Sequence, residues 1–148
     1  KNLPYDEPYD ALIMASIIEK EASAGDDRRL VAAVLVNRLK KGMRLQSDPT
    51  VLYEASESPT KPPQITKTDL QTKTPWNTYV INGLPKTPIC NPGQESIMAA
   101  LHPAKSDYIY FVSDGKGGLR FAKTLDAHNR NVRQFRQYRA AAEKGRGK

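Results

Sequence analysis

Apolar residues recur at helical spacing in several stretches of the chain and cluster at strand spacing near residue 110. Ile13, Met14, Ile17, Ile18 and Ala22 share one arc at roughly 100° per residue, which predicts a helix over roughly 11–23 with Asp10 as its cap. A second helix is expected over roughly 28–41, capped by Asp26 or Asp27 and ended by Gly42. Asp48-Pro49 pairs an N-cap with Pro at the first helical position and predicts a short helix near 49–55. Residues 56–75 are rich in Ser, Thr, Lys and Pro (Pro59, Pro62, Pro63, Pro75) and read as a long loop. Residues 78–81 read as a short strand closed by the Asn82-Gly83 turn pair. Asn91-Pro92 opens a helix that runs to about Leu101, with Pro103 just beyond. Residues 108–112 form the strongest strand, and 114–118 turn it into a partner over 119–122. The last helix starts at about Leu125, with Val132, Phe135 and Tyr138 inward and arginines outward. Helices, then a small antiparallel sheet with a hairpin, then a C-terminal helix describe one α+β domain over 1–148. Residues 1–9 are its lead-in and 140–148 a basic tail.

Composition bounds the function. With 148 residues, 39% of them hydrophobic and 26% charged, the chain suffices for one domain with a proper core. No run approaches the roughly 18 apolar residues that a membrane span needs, and no secretory signal is visible. Because the first residue is Lys1, the chain is read as a piece of a longer protein. The net charge of +7 is concentrated at the end: residues 130–148 carry seven Lys/Arg against Glu143 alone. The remainder holds 16 basic and 15 acidic side chains, so the body is nearly neutral and no nucleic-acid partner is expected. A lone Cys90, with only His102 and His128 as histidines, allows neither an internal disulfide nor a zinc cluster. No metal or other cofactor is expected. Gly115-Lys116-Gly117-Gly118 lacks phosphate-loop spacing and lies between two strands.

The residue that changes this picture is Glu21. It projects near the middle of the apolar arc of the first helix, whereas Glu19 points to the opposite side, into water. Burying a carboxylate costs several kcal/mol unless it is paired or stays protonated, and desolvation moves its pKa toward neutrality. A protonated carboxylic acid against an apolar wall is what breaking a glycosidic bond requires of a general acid. The competing explanation is a structural ion pair with an arginine such as Arg38. Other polar runs accompany it. Gln46-Ser47-Asp48-Pro49-Thr50 supplies four hydrogen-bonding side chains, of which a capped helix start explains Asp48 but not Gln46. Trp76-Asn77-Thr78-Tyr79 mixes an aromatic face with amide and hydroxyls, which suits sugars and also suits an ordinary turn. His128-Asn129 lies at the start of the last helix, where a histidine is commonly structural or capping.

Taken together these runs resemble the YceG/MltG family of endolytic murein transglycosylases. The matching stretches are 15–21, Asn37-Arg38-Leu39, 42–51, Asn77-Thr78-Tyr79, Gly83-Leu84-Pro85, Asn91-Pro92-Gly93, 108–112 and His128-Asn129, in the family's order. The resemblance implies that the second glutamate of Glu19-Lys20-Glu21 is catalytic, in agreement with the helical arc. It implies endolytic, non-hydrolytic cleavage of peptidoglycan glycan strands between N-acetylmuramic acid and N-acetylglucosamine, leaving 1,6-anhydromuramyl ends. Gln46, Ser47, Asp48, Thr50, Trp76, Asn77, Thr78, Tyr79, Asn91, His128 and Asn129 are the expected glycan-binding residues. It further implies a parent protein held in the bacterial inner membrane by a single N-terminal helix, with a small LysM-like domain. Both segments would lie outside this chain, and the catalytic domain would face the wall. Cell-wall synthases are its possible protein partners, and the domain is expected to be monomeric. The chain departs from the family at Trp76, where Tyr is usual, at Lys86-Thr87, where Pro-Gly is usual, and at Leu119, where a histidine often stands. Three further readings remain open: a hydrolytic muramidase using Asp48 as second carboxylate, a non-catalytic peptidoglycan-binding module, and, least favoured by the near-neutral body, a nucleic-acid-binding domain using the basic tail.

Overall fold

The computed structural model describes residues 3–22, 27–55 and 65–146. Its elements are α1 (Pro8–Glu21), α2 (Arg28–Lys40), α3 (Asp48–Ala55), α4 (Lys67–Gln71), α5 (Gln94–Leu101), β1 (Tyr110–Ser113), β2 (Leu119–Ala122) and α6 (Leu125–Arg146). The α+β class holds: helices first, one antiparallel hairpin, and a final helix packed on that hairpin.

α1 is the centre of the molecule. It packs against α5, α2 and α3, and Ala11 and the whole run from Ile13 to Ile18 are buried. Enclosure on several sides, not one apolar arc, explains why Ala15 and Ser16 are as buried as Ile17. Ser16 survives there because its hydroxyl donates to Ile13 O (2.7 Å) and accepts from Ile89 N–H (3.0 Å). Met14, Ile17 and Ile18 pack with Val31, Leu35, Leu45, Ile89 and Ala99 in the main core.

Several boundaries differ from the sequence expectation. α1 starts at Pro8, so the lead-in is shorter, and Asp10 is not the N-cap. It stands three residues inside a capping box, accepting from the N–H groups of Asp6 (2.9 Å) and Glu7 (3.4 Å). α2 is capped as expected by Asp27, which accepts from Arg29 and Leu30, and Gly42 follows it at φ +72°. α5 begins only at Gln94. The expected start at Asn91-Pro92 is displaced to Gly93, which caps without a side chain and donates its own N–H to the Glu19 carboxylate. Glu19 therefore does not simply face water: Oε1 accepts from Gly93 N–H (2.7 Å) and Ser96 Oγ (3.0 Å), and Arg28 lies 4.0 Å from Oε2. These contacts, the Gly93 bond foremost, hold its carboxyl below the usual range. The expected tail over 140–148 continues α6 as far as Arg146. Val132 and Phe135 are half-buried, but Tyr138 is 41% exposed, its ring lying over Gly115 rather than in the core.

The long loop expected over 56–75 is only partly testable, since 56–64 lie outside the described residues. Its second part contains α4, started by a Thr66/Asp69 capping box. The strand expected over 78–81 is absent; that segment is a turn. Asn77 overrides the β-branched pattern. Its Nδ2 donates to the carbonyls of Asp69 (3.0 Å), Leu70 (3.3 Å) and Thr72 (2.8 Å), and its Oδ1 accepts from Tyr79 N–H (2.9 Å). Val80 and Ile81 then both donate to Asn77 O, closing the turn. Removing this amide would orphan several backbone groups around a buried residue. Asn77→Ala should cost about 2–4 kcal/mol in urea unfolding; a loss under about 0.5 kcal/mol, the range of ordinary surface changes, would contradict this role.

Candidate active site

The site forms where α1 ends. Glu21, its last residue, opens onto a cleft of about 450 Å³. α2 contributes Val34, Leu35 and Arg38 to the lining; the loop into α3 contributes Leu45, Gln46 and Asp48. Tyr79 comes from the Asn77 turn, Tyr110 and Leu119 from the hairpin, and His128 from α6.

A buried polar clamp fixes two of these walls to each other. Ser47 N–H donates to Thr78 Oγ1 (2.8 Å), Thr50 Oγ1 donates to Ser47 O (2.6 Å), and the two threonine hydroxyls share a 2.8 Å bond. Gln46 N–H adds a bond to Thr78 O (3.2 Å). The clamp brings Asp48 against Tyr79, whose hydroxyl donates to Oδ1 at 2.5 Å. It also holds Gln46 at φ 51°, in the left-handed region that a glutamine rarely adopts. Such strain costs of order 1 kcal/mol and persists where the surroundings over-determine it.

The electrostatics centre on Glu21. Burial pushes its carboxyl up from 4.5 to about 7, and the Asp48 carboxylate nearby pushes the same way. The Ser47 hydroxyl is close enough to pull weakly downward, yet its Oγ is enclosed and makes no well-formed hydrogen bond. That hydroxyl counts for less than desolvation. No ion pair joins Glu21 to Arg38 among the described residues. Arg38 is buried with its guanidinium committed to backbone, Nε to Ile109 O (2.7 Å) and Nη1 to Arg44 O (2.9 Å). The ion-pair explanation for Glu21 finds no support among the described residues, and burial instead favours its protonated form.

Of the residues singled out in the sequence, Glu21, Gln46, Asp48, Tyr79 and His128 line one cleft. Ser47, Thr50, Asn77 and Thr78 are buried beside it and bonded to the protein, except for the Ser47 hydroxyl. Trp76 is outside the lining; its Nε1 donates to Thr87 Oγ1 (2.9 Å) and its ring packs on Tyr53 at 5.6 Å. Asn91 and Asn129 are exposed and do not line the cleft either.

A model of the YceG-like family matches residues 1–134, a span that contains every residue lining the cleft. This chain belongs to the YceG-like family. It is 48% identical over 124 residues to a protein of Bacillus subtilis (strain 168) named endolytic murein transglycosylase, covering 84% of this chain and 34% of that relative. A protein of the same name from Streptococcus pneumoniae (serotype 2, strain D39) is 34% identical over 135 residues, covering 89% of this chain and 24% of its own length. The crystal structure of a yceG-like protein from Listeria monocytogenes superposes with a TM-score of 0.77 at 50% identity, over 82% of this chain and 39% of that one. The chain thus spans well under half the length of these relatives.

The other lining residues, among them Arg38, Tyr110 and Leu119, were not expected as site components from the sequence. Arg38 had been considered only as a salt-bridge partner. Strand alternation in β1 could have indicated Tyr110, and Leu119 was marked only as the position where the family often has a histidine.

The raised carboxyl has a consequence for stability. Between about 4.5 and about 7 the folded protein holds a proton on Glu21 that the unfolded chain releases. Stability therefore falls as pH rises through this window and levels off above it, by up to roughly 3 kcal/mol. Glu21→Gln removes this term. The variant should gain steadily on the wild type from about pH 4 to about pH 8 in urea unfolding; parallel stability curves would contradict the shift.

Proposed function

We propose that this domain cleaves peptidoglycan glycan strands internally between N-acetylmuramic acid and N-acetylglucosamine, leaving a 1,6-anhydromuramyl end. The observation that carries the reading is a single, largely buried carboxyl raised to about 7, in a cleft where no cation among the described residues pairs with it. At neutral pH Glu21 is present in both protonation states, which suits one group to act first as acid and then as base. The names of the Bacillus and Streptococcus relatives support the same chemistry.

In the first half, the Glu21 carboxyl gives its proton to the oxygen linking the two sugars. The C1–O bond breaks, and the glycan beyond leaves with a new hydroxyl. Positive charge develops at the muramyl C1 and ring oxygen, facing the new Glu21 carboxylate. In the second half, that carboxylate takes the proton from the C6 hydroxyl of the same sugar, whose oxygen bonds to C1. Glu21 is again protonated and no water is consumed. One carboxyl suffices because the nucleophile is part of the substrate, unlike the two-carboxylate scheme of ordinary glycosidases. Gln46, Asp48, Tyr79 and His128 contact the glycan, while Thr50, Asn77 and Thr78 hold the walls that present them.

The reaction takes place outside the cytoplasm, where peptidoglycan lies. No described helix is long and apolar enough to cross a membrane. Anchorage to the inner membrane and work beside cell-wall synthases belong in this reading to segments beyond the present chain.

Mass spectrometry of purified glycan strands incubated with wild type and Glu21→Gln tests this directly. Internal fragments ending in anhydromuramic acid, made by the wild type and reduced at least about a hundredfold in the variant, are expected. Reducing-end muramic acid products would replace the proposal with hydrolysis. Undiminished cleavage by a folded Glu21→Gln protein would remove Glu21 from the mechanism.

A further inference from the structure

One ring in the cleft has no part in the proton transfers. His128 lies in the first turn of α6, and its backbone N–H donates to Thr124 O (3.0 Å), so it is not the helix cap. Its imidazole lies flat on Tyr110, with centroids 4.8 Å apart and planes inclined by 18°. Tyr110 is itself steadied by the Arg38 guanidinium, 5.0 Å from its centroid, and Arg38 is tied to two backbone carbonyls. The imidazole is therefore held in one orientation by neighbours that are themselves fixed.

The two ring nitrogens differ. Nδ1 is enclosed and has no hydrogen-bond partner. Nε2 is not enclosed and no group among the described residues bonds it, so it is the nitrogen left to face the cleft. Nδ1 is unpartnered in either tautomer, but a proton on Nδ1 would have no acceptor, whereas one on Nε2 can be bonded by whatever fills the cleft. Burial, and the positive charge of Arg38, also hold the imidazole below its usual pKa and favour the neutral ring. The other ionisable groups of this cleft are Glu21, Asp48, Tyr79 and Tyr110. What results is a fixed, uncharged N–H donor directed at whatever occupies the cleft.

An uncharged donor with a defined direction suits a carbonyl oxygen. In an N-acetylated glycan, the carbonyl that every sugar carries is that of its 2-acetamido group. We propose that His128 is a binding residue whose Nε2–H donates to a 2-acetamido carbonyl of the glycan, so that the cleft favours N-acetylated over de-N-acetylated strands. The inference rests on the glycan-cleaving reading of the same cleft, but its test does not need turnover.

The test compares binding of N-acetylated and chemically de-N-acetylated glycan fragments by calorimetry, using Glu21→Gln protein so that nothing is cleaved. Adding His128→Phe keeps a flat ring on Tyr110 and removes the donor. It should weaken binding of the N-acetylated fragment about five- to tenfold and leave the de-N-acetylated one unchanged. His128→Gln, which restores an N–H, should recover most of the loss. Equal losses on both fragments, no loss on either, or no recovery with Gln would overturn the assignment. Coupling to the acetyl group in a protein whose parent cleaves nothing would uphold it and sink the catalytic reading instead. No binding of either fragment would overturn both.

Discussion

The Glu21 carboxyl is largely buried at the C-terminal end of α1 with no cation among the described residues to neutralise it, and the cleft depends on that uncompensated burial. Desolvation favours the protonated acid, and the Asp48 carboxylate, brought close by the next loop, adds repulsion in the same direction. An arginine is at hand in the same cleft, but Arg38 spends its guanidinium on the carbonyls of Ile109 and Arg44. Had it turned to Glu21, the pair would have been an ordinary structural salt bridge with its acid permanently ionised. The backbone carbonyls that occupy Arg38 are thus as important to the chemistry as the apolar wall.

Holding that arrangement takes the rest of the fold. α1 sits rigidly because it is enclosed by α2, α3 and α5, and because Glu19 ties it to the N-terminus of α5. The last turn of one helix thereby carries two glutamates in opposite states. Glu19 is ionised, exposed in part and bonded to donors, with a lowered pKa; Glu21 is desolvated and raised. On the facing wall, the Ser47–Thr50–Thr78 clamp and the Asn77 amide set the distance of Asp48 and Tyr79 from the acid. These polar groups are buried because they are satisfied among themselves, which makes them positioning groups before they are contacts.

Much of this was legible in the residues. The α+β order, the hairpin turned at 114–118 and the choice of Glu21 over Glu19 all followed from periodicity and turn chemistry. What was not legible came from tertiary partners. Glu19 was expected in water because a helical wheel cannot see that α5 lies against its other face. The strand expected over 78–81 rested on β-branched and aromatic residues, but one buried asparagine gathering three carbonyls made a turn of it. Asn77, Thr78 and Thr50 were chosen as sugar contacts for their polarity, and their hydrogen-bonding capacity is directed at protein. The roles of Arg38 and Tyr110 depended on β1 approaching α2, a contact over 70 residues away in sequence.

The central claim is that Glu21 keeps its proton up to about neutral pH, where both forms coexist, because of where the fold puts it. Carbon-13 NMR titration of the protein, labelled at glutamate carboxyls and assigned with Glu21→Gln, measures this directly. The account predicts a midpoint at about 7 for Glu21, falling when Asp48→Asn removes the neighbouring charge. A midpoint near the ordinary 4.5 would contradict it, since the cleft would then hold an ionised carboxylate with no proton to give.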